Sequence, residues 1–185
     1  MSIASSTLPI TAGTYAVDTN HSGVHFQIRH LGLSNVRGRF KTFDARLIVG
    51  DTLDDTVVEA TIDLASVDTG QPDRDAHLLG TDFFRADEHP HMTFRSTRIR
   101  STTTDRFELD GDLTLNGITA PVTLRVDFEG ESVSPTDGKT HVGFTADGDI
   151  KRANYGIDFN MPLGVDKLAL GEKVKIDLDI QFLAP

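Results

Sequence analysis

"APVTLRVDFEG", residues 120–130, sets Val122, Leu124, Val126 and Phe128 on one phase and Thr123, Arg125, Asp127 and Glu129 on the other. Side chains along a β-strand point alternately to opposite faces, so this is the pattern of a strand with one dry and one wetted side. The same period runs outward in both directions. In "FELDGDLTLNG" (107–117), Phe107, Leu109, Gly111, Leu113 and Leu115 are in phase, and in "EKVKIDLDIQFLA" (172–184) so are Val174, Ile176, Leu178, Ile180 and Phe182. "GVHFQIRH" (23–30) opposes Val24, Phe26, Ile28 and His30 to His25, Gln27 and Arg29, while "VRGRFKTF" (36–43) opposes Val36, Gly38 and Phe40 to Arg37, Arg39 and Lys41. "ARLIVG" (45–50), "TVVEATIDLASV" (56–67), "HMTFRSTRI" (91–99) and "HVGFTADGDI" (141–150) read as further strands.

Roughly eight or nine strands with one apolar face each call for an antiparallel sheet wetted on one side. A sandwich and a closed barrel both satisfy that demand. Glycines inside strands, at Gly38, Gly111 and Gly143, mark bends or bulges and favour curling. The expected class is therefore all-β, an antiparallel β-barrel of about eight strands, its interior either filled by side chains or open to one small ligand. The rhythm breaks once, over residues 69–90. Pro72 suits a helix start, Asp73 and Asp75 suit the positive end of a helix dipole and Gly80 suits a stop, which predicts one short helical segment near residues 72–84. Residues 1–14 are expected to form a flexible N-terminal segment ahead of a single domain, 15–185.

Composition narrows the partners. A net charge of −10 repels phosphate backbones and anionic surfaces, and no run of Lys and Arg interleaved with aromatics overcomes it, so nucleic acid is not an expected partner. No stretch approaches the ~18 apolar residues of a membrane span. Stable membrane insertion is thus not expected either. The opening "MSIASSTLPITAGTY" has neither a basic start nor an apolar signal-peptide core, and the expected location is cytoplasmic. With no cysteine, disulfides, thiolate metal sites and thiol nucleophiles are excluded.

"RDAHLLGTDFFRADEHPHMTF" (74–94) concentrates acids and histidines around Phe83 and Phe84. His89 and His91 form an HxH pair, and Asp73 precedes His77 by one helical turn, but HExxH is absent and the other histidines are scattered along strands. GxSxG, GxGxxG and P-loop patterns are also missing, although Ser22, His30 and Asp63 would form a triad if a barrel brought them together. No catalysis and no cofactor are expected. His30, on the inward phase, is either a hydrogen-bonded core histidine or a polar contact for a ligand head group. Of Phe83 and Phe84, at least one plugs the core beneath the helix or both line an entrance. Arg74 and Asp75 hold the helix in place, and Arg152 either pairs with an acid at the rim or meets a polar ligand terminus.

Four motifs in order resemble the YceI-like family of lipocalin-like, polyisoprenoid-binding proteins: "HSGVHFQIRHLGLSNVRGRF", "VDTGQPDRDAHLLGTDFF", "GDLTLNGITAPVTL" and "GFTADGDIKRANYGI". The resemblance covers about Tyr15 to Phe182. It implies a barrel enclosing an elongated apolar channel for a polyisoprenoid or similar long-chain lipid, which the protein carries or sequesters. The residues then expected to contact ligand are Phe26, Ile28, Phe40, Phe94, Leu113, Leu115, Phe144 and Ile176 along the channel, Phe83 and Phe84 near the entrance, and His30, Arg152 and Tyr155 as polar contacts. In "RANYG" the sequence departs from the family pattern, with Asn154 in place of an acid and Tyr155 in place of Phe or Trp, which points to a changed rim. The alternatives are a metal- or serine-dependent lipid hydrolase in the same pocket, or a protein-interaction module with a filled barrel. Exposed strand edges also leave room for a homodimer.

Overall fold

The computed structural model describes residues 5–185. One antiparallel sheet holds β1 (Gly13–Val17), β2 (Gly23–His30), β3 (Ser34–Phe40), β4 (Phe43–Val49), β5 (Val57–Asp63), β6 (Val67–Asp68), β7 (His91–Ser101), β8 (Arg106–Leu115), β9 (Ile118–Val133), β10 (Thr140–Lys151) and β11 (Leu170–Leu183). β1 and β2 lie end to end along one edge of β11, β1 against Phe182 and Leu183 and β2 against residues 170–179. Their hairpin partner is likewise split, β4 pairing β1 and β3 pairing β2, and the next strand is split again, β5 pairing β4 and β6 pairing β3. Counting each end-to-end pair once, eight strands close into the expected barrel.

The interruptions correct the sequence reading, in which "VRGRFKTF" and "TVVEATIDLASV" were single strands. Asp63 accepts a hydrogen bond from the backbone N–H of Ala65 at 3.0 Å and starts the 3₁₀ turn Leu64–Ser66 that splits "TVVEATIDLASV"; Asp18 accepts one from Asn20 at 3.0 Å and starts the 3₁₀ turn Thr19–His21 that parts β1 from β2. Short acidic side chains offer the backbone this local alternative to a ladder, and the chain leaves the sheet for one turn. Asn116 and Gly117, both at positive φ (55° and 71°), make the tight β8–β9 turn that such strand twist favours.

The helix α1 (Pro72–Leu79) starts at the expected proline but is shorter than the expected 72–84 segment. Gln71 caps it through Arg74 N–H, and Gly80 donates to His77 O. From Gly80 to His89 the chain runs in turns, with Arg85 at φ 50°. Helix and turns together cover the opening between β3 and β7 that the two-residue β6 leaves. As expected, Asp75 and Arg74 tether the helix: Asp75 accepts from the N–H and hydroxyl of Thr69 at 2.9 and 2.6 Å, and Arg74 donates to Thr69 Oγ1 and O at 2.7 and 2.8 Å.

Two of the strand glycines have a role other than curvature. A Cβ on Gly38 would stand 2.4 Å from Cζ of Phe26, its cross-strand partner, and one on Gly111 would stand 2.3 Å from Cζ of Phe94. Both rings therefore lie flat on neighbouring backbone instead of standing into the lumen. Gly143, opposite Gly130, does sit at a register shift and bends the long β9–β10 ribbon.

Residues 1–4 of the segment expected to be flexible lie outside the described residues. Residues 5–12 cross the end of the barrel, with Ser5 N–H on Ser101 Oγ, Leu53 N–H on Ser6 O, and Leu8 and Leu53 both buried. No helix among the described residues is long and apolar enough to cross a membrane.

Candidate ligand-binding site

The inward faces do not meet. They enclose a cavity of about 580 Å³, inside the 300–1,000 Å³ range of small-molecule sites. All thirteen residues expected at a ligand site border it: Phe26, Ile28, His30, Phe40, Phe83, Phe84, Phe94, Leu113, Leu115, Phe144, Arg152, Tyr155 and Ile176. Leu8 forms part of the floor. Rings step from one end of the lumen toward the other: Phe84 lies 6.1 Å from Phe40, Phe40 lies 5.4 Å from Phe26, and Phe144 lies 6.3 Å from Phe182 at the far end.

The mouth lies where α1 faces the loop after β10. His77 and Arg74, both exposed, share the cavity border with exposed Met161 and half-buried His30. His77 stands edge-on to Phe83 and to Phe159, 5.1 Å from each, and Phe83 lies 5.2 Å from Phe159. Phe83 is buried in this aromatic cluster while Phe84 is half-buried beside Phe40, so the two phenylalanines brace the mouth from inside. His77 is oriented by Asp82, Nε2 to Oδ2 at 2.8 Å.

The three candidate polar contacts differ. Arg152 is buried and forms no hydrogen bond to an acid among the described residues; it donates to the carbonyls of Gly171 (2.9 Å), Ile157 (3.1 Å) and Phe159 (3.0 Å). Burial pushes its guanidinium below the usual arginine value, and the charges of Asp158 and Glu172 partly restore it. Its position after inward-facing Ile150 was legible; its role as the pin of residues 157–171 was not. Tyr155, 1% exposed, aims its hydroxyl at Ala120 O (3.4 Å), and burial raises its phenol. His30 is the open one, since no protein group among the described residues hydrogen-bonds its ring, so it is not the hydrogen-bonded core histidine of the alternative reading. Asn154, the departure beside Tyr155, is exposed and does not border the cavity.

Sequence reasoning missed several wall residues. Phe107, Leu109, Val174, Leu178, Ile180 and Phe182 were already in phase, so strand period alone could have supplied them. Leu8, Phe159 and Met161 sit in irregular segments that carry no periodic signal.

The chemical alternatives find separate groups. Ser22 Oγ accepts from Gln181 N–H at 2.9 Å, and Asp63 caps the 3₁₀ turn; neither touches His30. Among the described residues no three His, Asp or Glu side chains converge as metal ligands.

A YceI-like domain profile matches residues 15–182. The chain belongs to the YceI-like family. Among relatives of this YceI-like chain, a UPF0312 protein of Staphylococcus epidermidis is 39% identical over 167 residues, 89% of this chain and 94% of that one; another from Staphylococcus aureus is 38% identical over 170 residues, covering 91% and 96%. BcnA of Burkholderia cenocepacia shares the fold at a TM-score of 0.76 with 23% identity, covering 89% of this chain and 98% of its own. A polyisoprenoid-binding domain of Saccharophagus degradans shares it at 0.70 with 15% identity, covering 92% and 98%.

Proposed function

We propose that this YceI-like barrel binds a long apolar ligand, a polyisoprenoid or similar long-chain lipid, and carries or sequesters it without acting on it chemically. One observation carries the reading: the lumen is walled mainly by hydrocarbon, with His25 and Asp44 as polar residues along its border, while His30, Thr69, Arg74, His77 and Arg152 gather toward one end. That is the polarity of a lipid with a tail and a head. Burying a tail of about fifteen carbons contributes on the order of 12 kcal/mol at ~0.8 kcal/mol per CH₂. Association costs of ~4–15 kcal/mol leave a workable affinity only for long or well-fitting tails. The polyisoprenoid-binding domain of the same fold agrees with this ligand class.

The thirteen residues named from the sequence would contact the ligand, Arg152 and Tyr155 by shaping the mouth more than by direct hydrogen bonds. Organic extraction of freshly purified protein, followed by mass spectrometry, tests the proposal. A co-purified prenyl or acyl lipid is expected; an extract without lipid, from protein that also fails to take up added polyprenol, overturns it.

A further inference from the structure

The hydrophobic side chains that remain exposed are not scattered. Of the eight large ones among the described residues, six, Leu31, Leu33, Met161, Leu163, Val165 and Leu168, lie on the turn after His30 and the loop after Phe159, beside the mouth, and Met161 among them borders the cavity. They sit on two adjacent tips. The first is the β2–β3 turn; the second is a small hairpin after β10, in which Leu163 N–H donates to Lys167 O, Pro162 bridges Leu168, and Val165 at the apex is 90% exposed. Leu31 N–H on Ala169 O joins the two stems, and Met161 runs from the patch into the cavity wall. The apolar patch is thus continuous with the lumen.

Charge supplies the second observation. Over most of the barrel, arginines are paired across strands: Arg46 and Arg95 with Glu59, Arg100 with Glu108 and Asp110, Arg106 with Asp127, and Arg125 with Asp147. Around the mouth they are not. Exposed Arg29, Lys151, Lys167 and Lys173, with Lys175 and Arg37 on the next rows, form no ion pair within 4.0 Å among the described residues, and Lys151 stands directly opposite Lys173. On the side of the mouth that carries the two tips, six cations stand against four exposed acids, Asp149, Asp158, Asp166 and Glu172, a local positive excess in a chain of net charge −10, while across the opening Asp73 and Asp82 face Arg74 on the α1 side.

We infer that the two tips dock the mouth onto an anionic lipid bilayer, inserting Leu33 and Val165 among the head groups while the flanking lysines and arginines face anionic lipid, so that cargo passes between membrane and lumen without crossing water. Apolar tips that reach ~5–10 Å into the interface, ringed by cations, are the physical form of reversible surface binding. Each Lys or Arg near such a surface strengthens binding about fivefold. The acidic remainder of the barrel is repelled and orients the molecule mouth-down. This inference rests on the proposed lipid-carrying function for its purpose, though its test does not.

The test is flotation of the whole protein with phosphatidylcholine vesicles, alone or with about 30% phosphatidylglycerol, alongside lipid extraction from the same preparations. The expected results are binding to anionic vesicles that weakens as salt is raised, and at least a tenfold loss in the double variant Leu33→Ser, Val165→Ser, with extracted lipid unchanged. Both residues are exposed, so the variant retains the core. Lys173→Glu with Lys151→Glu should remove the preference for anionic vesicles. Absent vesicle binding, or binding that survives both variants, overturns the inference, as does gel filtration showing that the apolar tips instead join two copies of the chain. Lipid retention without vesicle binding refutes docking alone; vesicle binding without any retained or absorbed lipid refutes the proposed cargo and leaves docking standing.

Discussion

Gly38→Ala asks whether the lumen is kept open by rings lying flat on glycine. The added methyl would be 2.4 Å from Phe26 Cζ and 2.8 and 3.0 Å from its Cε atoms, with no backbone atom among those nearest contacts. Carbon contacts settle near 3.5–4.0 Å, so the ring edge must move by about 1 Å or more, and only the lumen can receive it. Overpacking of this kind costs about 1–3 kcal/mol, offset by about 0.4–1 kcal/mol from the stiffer unfolded chain. Fold stability should therefore fall by no more than about 2.6 kcal/mol. Displacing one or two CH₂ equivalents of ligand, at ~0.8 kcal/mol each, should weaken binding about 4- to 15-fold. Urea unfolding and displacement of the dye ANS by a long-chain prenol measure the two effects separately. Wild-type affinity in a folded Gly38→Ala variant would refute the reasoning, because the ring would then have moved without entering ligand space.

Gly111→Ala provides the contrast: its Cβ would also meet Arg95 O at 2.7 Å, which backbone cannot easily relieve, so stability should drop by about 3 kcal/mol. Replacing Arg152 by Lys removes a guanidinium that serves three carbonyls; a loss of about 3 kcal/mol and faster amide exchange confined to residues 157–171 are expected, with uniform exchange across the barrel as the contrary result. Phe144→Leu should leave the barrel folded and alter prenol affinity, since Phe144 borders the cavity between Phe128 and Phe182; affinity equal to wild type would remove it from the ligand wall. Asp18 is held below its ordinary value of 3.8 chiefly by the hydrogen bond from His21, then by Asn20 N–H, against an opposing effect of burial. A carboxylate lowered by folding stabilises the protein above its unfolded pKa and ceases to do so as pH falls through the folded one. The melting temperature should thus fall on acidification below about pH 4, with a shallower slope in Asp18→Asn; parallel curves would count against it.

The barrel was legible because its inner surface is one face with one period. Once Val122 and Leu113 were assigned inward, the phase of every long strand followed, and residues as far apart as Phe26 and Ile176 could be placed beside the same cavity. What stayed hidden depended on contacts between segments without periodicity. The carboxylates of Asp18 and Asp63 end strands by capping the next turn, which the apolar pattern running through Leu64 and Val67 conceals. Gly38 and Gly111 look like bends from the sequence, and only the cross-strand position of an aromatic ring shows them to be seats. Arg152 reads as a polar contact at a rim, yet its three acceptors are main-chain carbonyls that carry no mark in the sequence. The floor formed by Leu8 and the apolar tips at Leu33 and Val165 lie outside any repeating pattern.

The central claim is that the lumen is a hydrocarbon-accessible void with one occupant. Native mass spectrometry of delipidated protein titrated with a long-chain polyprenol measures this directly. Saturation at one lipid per 20.2 kDa chain is expected, competed by any lipid that co-purifies with the protein. A chain that remains bare at excess polyprenol, or one that adds lipids without saturating, would contradict it.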